Sequence, residues 1–210
     1  MNYNNYKYIF PPRPHNAMPP KDISRFDNGA MIAQPKLNGS NCLIFTDGEY
    51  INVMNRHGQN LTNFVLNKDE ILNLYNGSGW MVINGEYLNK SKRDENANIF
   101  NHKLVIFDIL VHNGKNLVGK TFDQRIDLIY DIYGNKECDK EYLYQYSDNV
   151  YTVKTYYNEF EEVYSKLTPI DIIEGLVCKR RSAKLELGTT QSNNTKSQIK
   201  FRKPSKNYRF

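Results

Sequence analysis

At 210 residues the chain is long enough to bury a real core and short enough to be one domain with at most a small appendage. No apolar run approaches the ~20 residues of a membrane helix, and the Asn- and Tyr-rich start has no apolar signal segment. The net charge is +5, but Lys179–Phe210 holds ten Lys or Arg against one acid, a net of +9, so the remainder carries −4. A basic end on a mildly acidic body suits a phosphate-rich partner about as well as a solvated surface. Three widely spaced cysteines, Cys42, Cys138 and Cys178, form no CxxC pair and suggest neither a zinc site nor a disulfide framework. A reducing, cytoplasmic setting fits.

In chain order, residues 1–20 read as a Pro-rich arm, because its proline density excludes helix and sheet interior. Arg13 and His15 within it read as solvated arm residues in preference to phosphate contacts. Residues 21–210 then form the globular domain. Strands are predicted over 31–36, 41–45 and 50–54, with Asp47-Gly48 as a hairpin signal between the last two. A helix is predicted over 63–75, strands over 80–88 and 103–112, and a helix over 122–133 with Phe122, Ile126, Ile129 and Tyr133 on one face. A short strand at 150–154, a helix over 156–167 and strands at 172–179 and 198–202 complete the chain. The polar stretch 188–196 reads as a loop. The class is α+β, with antiparallel sheets and flanking helices.

Five short motifs stand out: Lys36-Leu37-Asn38-Gly39, Asn84-Gly85-Glu86, Phe107-Asp108-Ile109-Leu110, Glu174-Gly175-Leu176-Val177 and Lys200-Phe201-Arg202. Lys36 alone is most simply a surface lysine at a strand end, and only the motifs around it argue otherwise. A nucleophilic lysine needs burial or cationic neighbours to bring its pKa down from ~10.4, and Lys200 and Arg202 are candidates for those neighbours. Glu86 and Glu174 end apolar runs and would project into a cleft, where two carboxylates suit magnesium shared with substrate phosphates. Each is otherwise a partner for a lysine. Phe107 offers a face to a base or packs in the core. Lys200 and Arg202 alternate, so a strand would point both to one face.

Taken together and in this order, the motifs resemble those of the covalent nucleotidyltransferases: ATP-dependent DNA and RNA ligases and GTP-dependent capping enzymes. The resemblance runs from about residue 31 to 204. It implies an adenylyltransferase domain over 21–210 with Lys36 as nucleophile and ATP and Mg2+ (or Mn2+) as cofactors. Gln34, Pro35, Lys36, Asn41, Arg56, Glu86, Phe107, Lys179, Lys200 and Arg202 would bind ATP, with Phe107 on the base and Lys179, Lys200 and Arg202 on phosphates. Glu86 and Glu174 would hold the metal. Arg56, Arg180, Arg181, Lys184, Lys203 and Lys206 would contact a nicked or broken polynucleotide duplex of RNA, DNA or both. Many DNA ligases carry arginine where Asn41 stands, five residues after the nucleophile. The pair of Asn41 and Arg56, five and twenty residues after Lys36, looks like the nick-sealing RNA ligases. The run 104–110 followed by Phe122-Asp123-Gln124-Arg125 looks like the DNA ligases and capping enzymes. The chain ends soon after Lys203, which leaves no room for the OB-fold domain common to both. Gln34, where ligases often have Glu, favours adenine over guanine through an accepting amide oxygen. RNA nick sealing is the favoured reading, DNA ligation the alternative, and guanylyl transfer or a silent nucleic-acid-binding module further alternatives. A monomer is expected, and so compact a ligase implies a viral or other streamlined genome.

Overall fold

A computed structural model describes residues 10–188 and 193–204. Eleven strands and three helices are named along them: β1 (Arg13–Met18), β2 (Met31–Leu37), β3 (Ser40–Thr46), β4 (Ile51–Asn55), α1 (Lys68–Leu72), β5 (Met81–Leu88), β6 (Lys103–His112), β7 (Lys115–Asn116), α2 (Phe122–Tyr133), β8 (Leu143–Gln145), β9 (Val150–Val153), α3 (Phe160–Leu167), β10 (Ile173–Arg180) and β11 (Asn194–Arg202). A 3-10 turn, Pro20–Phe26, links β1 to β2. The strands form two sheets. The first has the order β1-β11-β10-β2, and the second β4-β3-β5-β6-β9-β8 with β7 on β6. Pairing is antiparallel except for β1 on β11 and β6 on β9, which are parallel. The expected α+β class with largely antiparallel sheets is the class observed.

The core follows from the alternation of side chains along the strands. In β6, Leu104 and Ile106 join α2 residues Phe122, Ile126 and Ile129 in one apolar cluster. Val105 belongs instead to the cluster under the first sheet, and Phe107 packs against that cluster. Two separate packing layers therefore share β6. Helix α2 begins on a capping box in which Thr121 Oγ1 accepts from the Gln124 N–H and Gln124 Oε1 accepts from the Thr121 N–H. It ends at Gly134 with φ +73°. Its predicted bounds, 122–133, match those observed.

Elsewhere tertiary contacts override the local pattern. Only Lys68–Leu72 of the predicted 63–75 helix is helical. Asn67 caps it by accepting from the Asp69 N–H, while Phe64 packs on Tyr87 and the Val65 N–H donates to Tyr87 Oη. The helix predicted from residue 156 starts at Phe160, because Tyr156 exchanges two backbone hydrogen bonds with Ala33 of β2 and Glu159 turns the chain at φ +58°. β11 starts at Asn194, inside the predicted loop 188–196, because β1 supplies it with a partner. The second half of the Pro-rich arm is thus an edge strand, the place where a sheet tolerates proline. β7 and β8 are too short to carry a periodic signal. Among the described residues no helix is long and apolar enough to cross a membrane.

One buried ion pair ties α2 to β6. Arg125 Nε and Nη2 donate to Asp108 Oδ1 and Oδ2 at 2.8 and 3.1 Å, and Arg125 Nη1 donates to the Lys120 carbonyl. Removing one partner strands the other charge in the core. Asp108→Ala is expected to destabilise the protein by about 3–5 kcal/mol in urea unfolding. Lys154→Ala, which breaks the exposed pair with Glu137, is expected to lose less than about 1 kcal/mol.

Candidate functional site

The two sheets enclose a cleft of about 560 Å3. From the first sheet it is lined by Gln34 and Lys36 of β2, Val177 and Lys179 of β10, and Gln198, Lys200 and Arg202 of β11. Each set steps by two residues, so strand alternation aims all of them the same way. From the second sheet come Asn41 of β3, Asn84 and Glu86 of β5, Phe107 of β6, and Arg56 just past β4. The chain crosses from one sheet to the other at Asn38-Gly39, immediately after Lys36. A Cβ on Gly39 would lie 2.5 Å from the Tyr87 carbonyl oxygen, so no larger residue fits there without a shift. The Gly39 N–H donates to Glu86 Oε1 at 3.1 Å, which fixes the turn against β5.

Lys36 Nζ is ion-paired with Glu174 Oε2, and Arg202 Nε lies 3.4 Å from the same oxygen. Glu174 sits in an irregularity of β10, between Ile173 and Gly175. Gly175 takes φ +148°, and a Cβ there would fall 1.8 Å from the Phe201 carbonyl oxygen. Glycine is therefore required for β10 to lie against β11 at this point. Burial pushes the Glu86 carboxyl up to about 7; Lys36 and the Gly39 N–H pull it down, and Glu174 adds to the rise. Burial lowers the pKa of Lys200, and Arg202, Lys36, Arg13 and Arg56 lower it further.

Lys179 is buried, and its Nζ donates to Gln34 Oε1 at 2.6 Å. It also lies 4.9 Å from the Phe107 ring centre and 4.5 Å from that of Phe122. Burial brings its pKa down to about 8, with Arg125 adding to the fall and Asp108 opposing it. Lys179 thus stands with the aromatic end of the cleft, not with Lys200 and Arg202 where a phosphate role was expected. Gln34 is engaged on both sides of its amide, since Nε2 donates to Thr155 Oγ1 at 3.0 Å. Asn41 Nδ2 donates to Asn84 Oδ1 at 2.8 Å and to the Gly85 carbonyl. Arg56 is exposed, and its Nε donates to His57 Nε2.

All ten residues expected to bind ATP line this one cleft, as does Glu174. The expected nucleic-acid contacts do not gather so closely. Arg56 is at the cleft, but Arg180 and Lys184 are exposed outside it. Arg181 is paired with Asp123 at 2.8 Å. Lys203 Nζ donates to the Thr168 and Ile170 carbonyls just past α3 and so acts as a tie to that helix end. Lys206 lies outside the described residues. Sequence reasoning missed Asn84, Val177, Gln198 and Arg13 as lining residues. Strand alternation could have placed Asn84 and Gln198, which lie two residues from Glu86 and Lys200.

The donor set suits a divalent cation shared with phosphate. Glu174 lies near enough to disfavour the charge on Glu86, a condition that a cation relieves. Among the described residues no cluster of three or more His, Cys, Asp or Glu is present, so phosphate and water oxygens would complete the shell, as magnesium prefers.

The family model of the ATP dependent DNA ligase domain matches residues 15–198. The chain belongs to the ATP-dependent DNA ligase domain family. Among solved structures, mycobacterial DNA ligase D complexed with ATP and MES superposes with a TM-score of 0.59 at 13% identity, over 96% of this chain and 62% of that one. A Lig E DNA ligase superposes at 0.53 with 16% identity, over 83% and 62% of the two chains. The structure described as Pmar-Lig_PreS3 superposes at 0.65 with 16% identity, over 93% and 47%. The chain thus spans about three fifths or less of these ligase chains, and at such identity the likeness shows a shared fold. No curated protein sequence matches. Within this ligase-domain fold, the two sheets hold the five sequence motifs on facing walls.

The Glu86 carboxyl gives a pH test. Its folded pKa of about 7 lies above the ordinary 4.5, so between these values the folded chain binds more protons than the unfolded one. Stability from this group is present at low pH and is lost as pH rises toward 7. Urea unfolding of the wild type and Glu86→Gln at pH 5, 6, 7 and 8 should show the variant gaining relative stability with rising pH. A difference independent of pH would contradict the assignment.

Proposed function

We propose that this chain is the catalytic domain of an ATP-dependent polynucleotide ligase. The observation that carries this reading is the Lys36–Glu174 pair, set between Glu86 on one wall and Lys200 and Arg202 on the other. Lys36 Nζ would attack the α-phosphate of ATP, forming a P–N bond and expelling pyrophosphate. Its proton must leave first, and Glu174 Oε2 is the adjacent acceptor. The AMP would then pass to a 5′-phosphate at a break, and a 3′-hydroxyl would displace it to close the strand. Each step is an in-line displacement, so positioning and charge neutralisation carry the rate. The adenine would lie at the Phe107 end and the triphosphate along Lys200 and Arg202. The aromatic end already holds Lys179 against Gln34, and Gln34 Oε1 would accept from the adenine amino group only by sharing that oxygen.

Glu86 and Glu174 would hold magnesium or manganese, which would neutralise phosphate charge when bound. Asn41, held by Asn84, and Arg56 at the mouth would meet the ribose or the strand end, which favours sealing of nicks in RNA. The DNA ligase family match favours DNA as the second reading. We further propose that the domain acts as a monomer in the cytoplasm and is encoded by a virus or another streamlined genome.

Incubation with labelled ATP or GTP and magnesium, followed by denaturation, tests the nucleotide. Label from ATP and none from GTP is expected, with at least a hundredfold loss in Lys36→Ala. Nicked RNA, DNA and hybrid duplexes then test the strand, and sealing of RNA nicks at the highest rate is expected. Label from GTP alone would move the chain to guanylyl transfer. No label from either, in folded protein not already charged, would leave a binding module.

A further inference from the structure

Arg13 belongs to none of the five motifs, and its sequence context reads as a solvated arm. In the structure it lines the cleft, together with Pro11, Pro12 and Pro14. The arm is pinned in place by backbone and side-chain hydrogen bonds. The Arg13 N–H donates to the Asn193 carbonyl at 2.9 Å and the Phe10 N–H to the Gly188 carbonyl at 3.1 Å. Asn193 Nδ2 donates to the Phe10 carbonyl at 2.7 Å. Three prolines around Arg13 fix their own φ values, so the arm presents this residue with little freedom left to lose on binding.

β1 and β4 are the outer strands of their respective sheets. Arg13 on β1 and Arg56 just past β4 both line the cleft, each from an edge of its sheet. Burial and the charge of Arg56 both lower the Arg13 pKa, and Arg13 and Arg56 both act on Lys200. A guanidinium does not shed its proton to escape such crowding. An anion placed among these three cations relieves it, and a guanidinium offers phosphate a planar fork of donors.

We propose that Arg13, delivered by the N-terminal strand, is a phosphate-binding residue at the edge of the cleft that Arg56 also lines. The ligand is a phosphate group beyond the one that Lys36 attacks. Its source, which rests on the ligase reading, is either the β,γ-phosphates of ATP or the 5′-phosphate of the strand. Arg13 would be a binding residue on a segment that precedes the first motif by more than twenty residues.

Titration calorimetry with inorganic pyrophosphate tests the binding itself, without requiring turnover. Arg13→Ala and Arg13→Gln should each weaken pyrophosphate by about tenfold or more, the range for a lost charge-assisted hydrogen bond. Arg13→Lys should recover part of the loss. His15→Ala, on the same arm but exposed and outside the cleft, should change nothing. Thermal unfolding checks that each variant is folded, and the Gln variant keeps the stem if Ala loosens β1. Wild-type affinity in both folded variants would overturn the proposal. Two further arms assign the source. Slower charging from ATP in Arg13→Gln points to the β,γ-phosphates, and slower transfer from purified charged protein to a 5′-phosphorylated strand points to the strand. Normal rates in both arms would overturn the proposal. A wild type that binds pyrophosphate through Arg13 but takes no label from ATP would sink the ligase reading and leave the Arg13 site standing.

Discussion

Charge imbalance in one cleft is the constraint on which the rest of the structure depends. Arg13, Lys36, Arg56, Lys179, Lys200 and Arg202 face a space that contains two carboxylates, Glu86 and Glu174. Cations at such density repel one another and lose hydration, as the lowered pKa values of Lys179 and Lys200 register. The cleft persists because two sheets with separate apolar clusters hold its walls. Behind the aromatic end, the Asp108–Arg125 pair braces β6 against α2. Positive charge held at this density by a rigid frame is the electrostatic arrangement that suits a polyanion.

Two amines of the cleft, Lys179 and Lys36, differ in what holds them. Burial brings the Lys179 pKa down to about 8, and by that measure it looks a good nucleophile. Its Nζ, however, is committed to Gln34 and stacked between two rings. Lys36 is paired with Glu174 at the end of β2, in the part of the cleft lined by Glu86, Lys200 and Arg202. Geometry thus separates them: Lys36 is the amine proposed to attack, and Lys179 is held at the aromatic end of the cleft. Perturbed pKa values mark functional sites without by themselves assigning roles.

Much of this was legible in the sequence because it rests on period-two alternation. The spacing of Lys200 and Arg202, and of Gln34 and Lys36, fixed a common face once the strands were recognised. Helix α2 was legible because Phe122, Ile126, Ile129 and Tyr133 repeat on one face, and the cap at Thr121 and the turn at Gly134 set the same ends in the structure. What escaped depends on partners remote in the chain. Nothing near Arg13 reveals that β11 offers it a parallel edge, with Asn194 as its partner. Nothing in 188–196 reveals that its last residues pair with the arm. The expected contacts Arg181 and Lys203 are held by Asp123 and by the carbonyls just past α3, partners that composition alone does not show.

The most direct test of the central claim is to map which side chain carries the nucleotide. The protein is charged with ATP and magnesium, digested under conditions that preserve a P–N bond, and the adduct is located by fragmentation mass spectrometry. AMP on Lys36 alone is expected. AMP on Lys179 or Lys200 would contradict it, because the amine favoured by pKa or by access would then have prevailed over the one that the Glu174 pair positions.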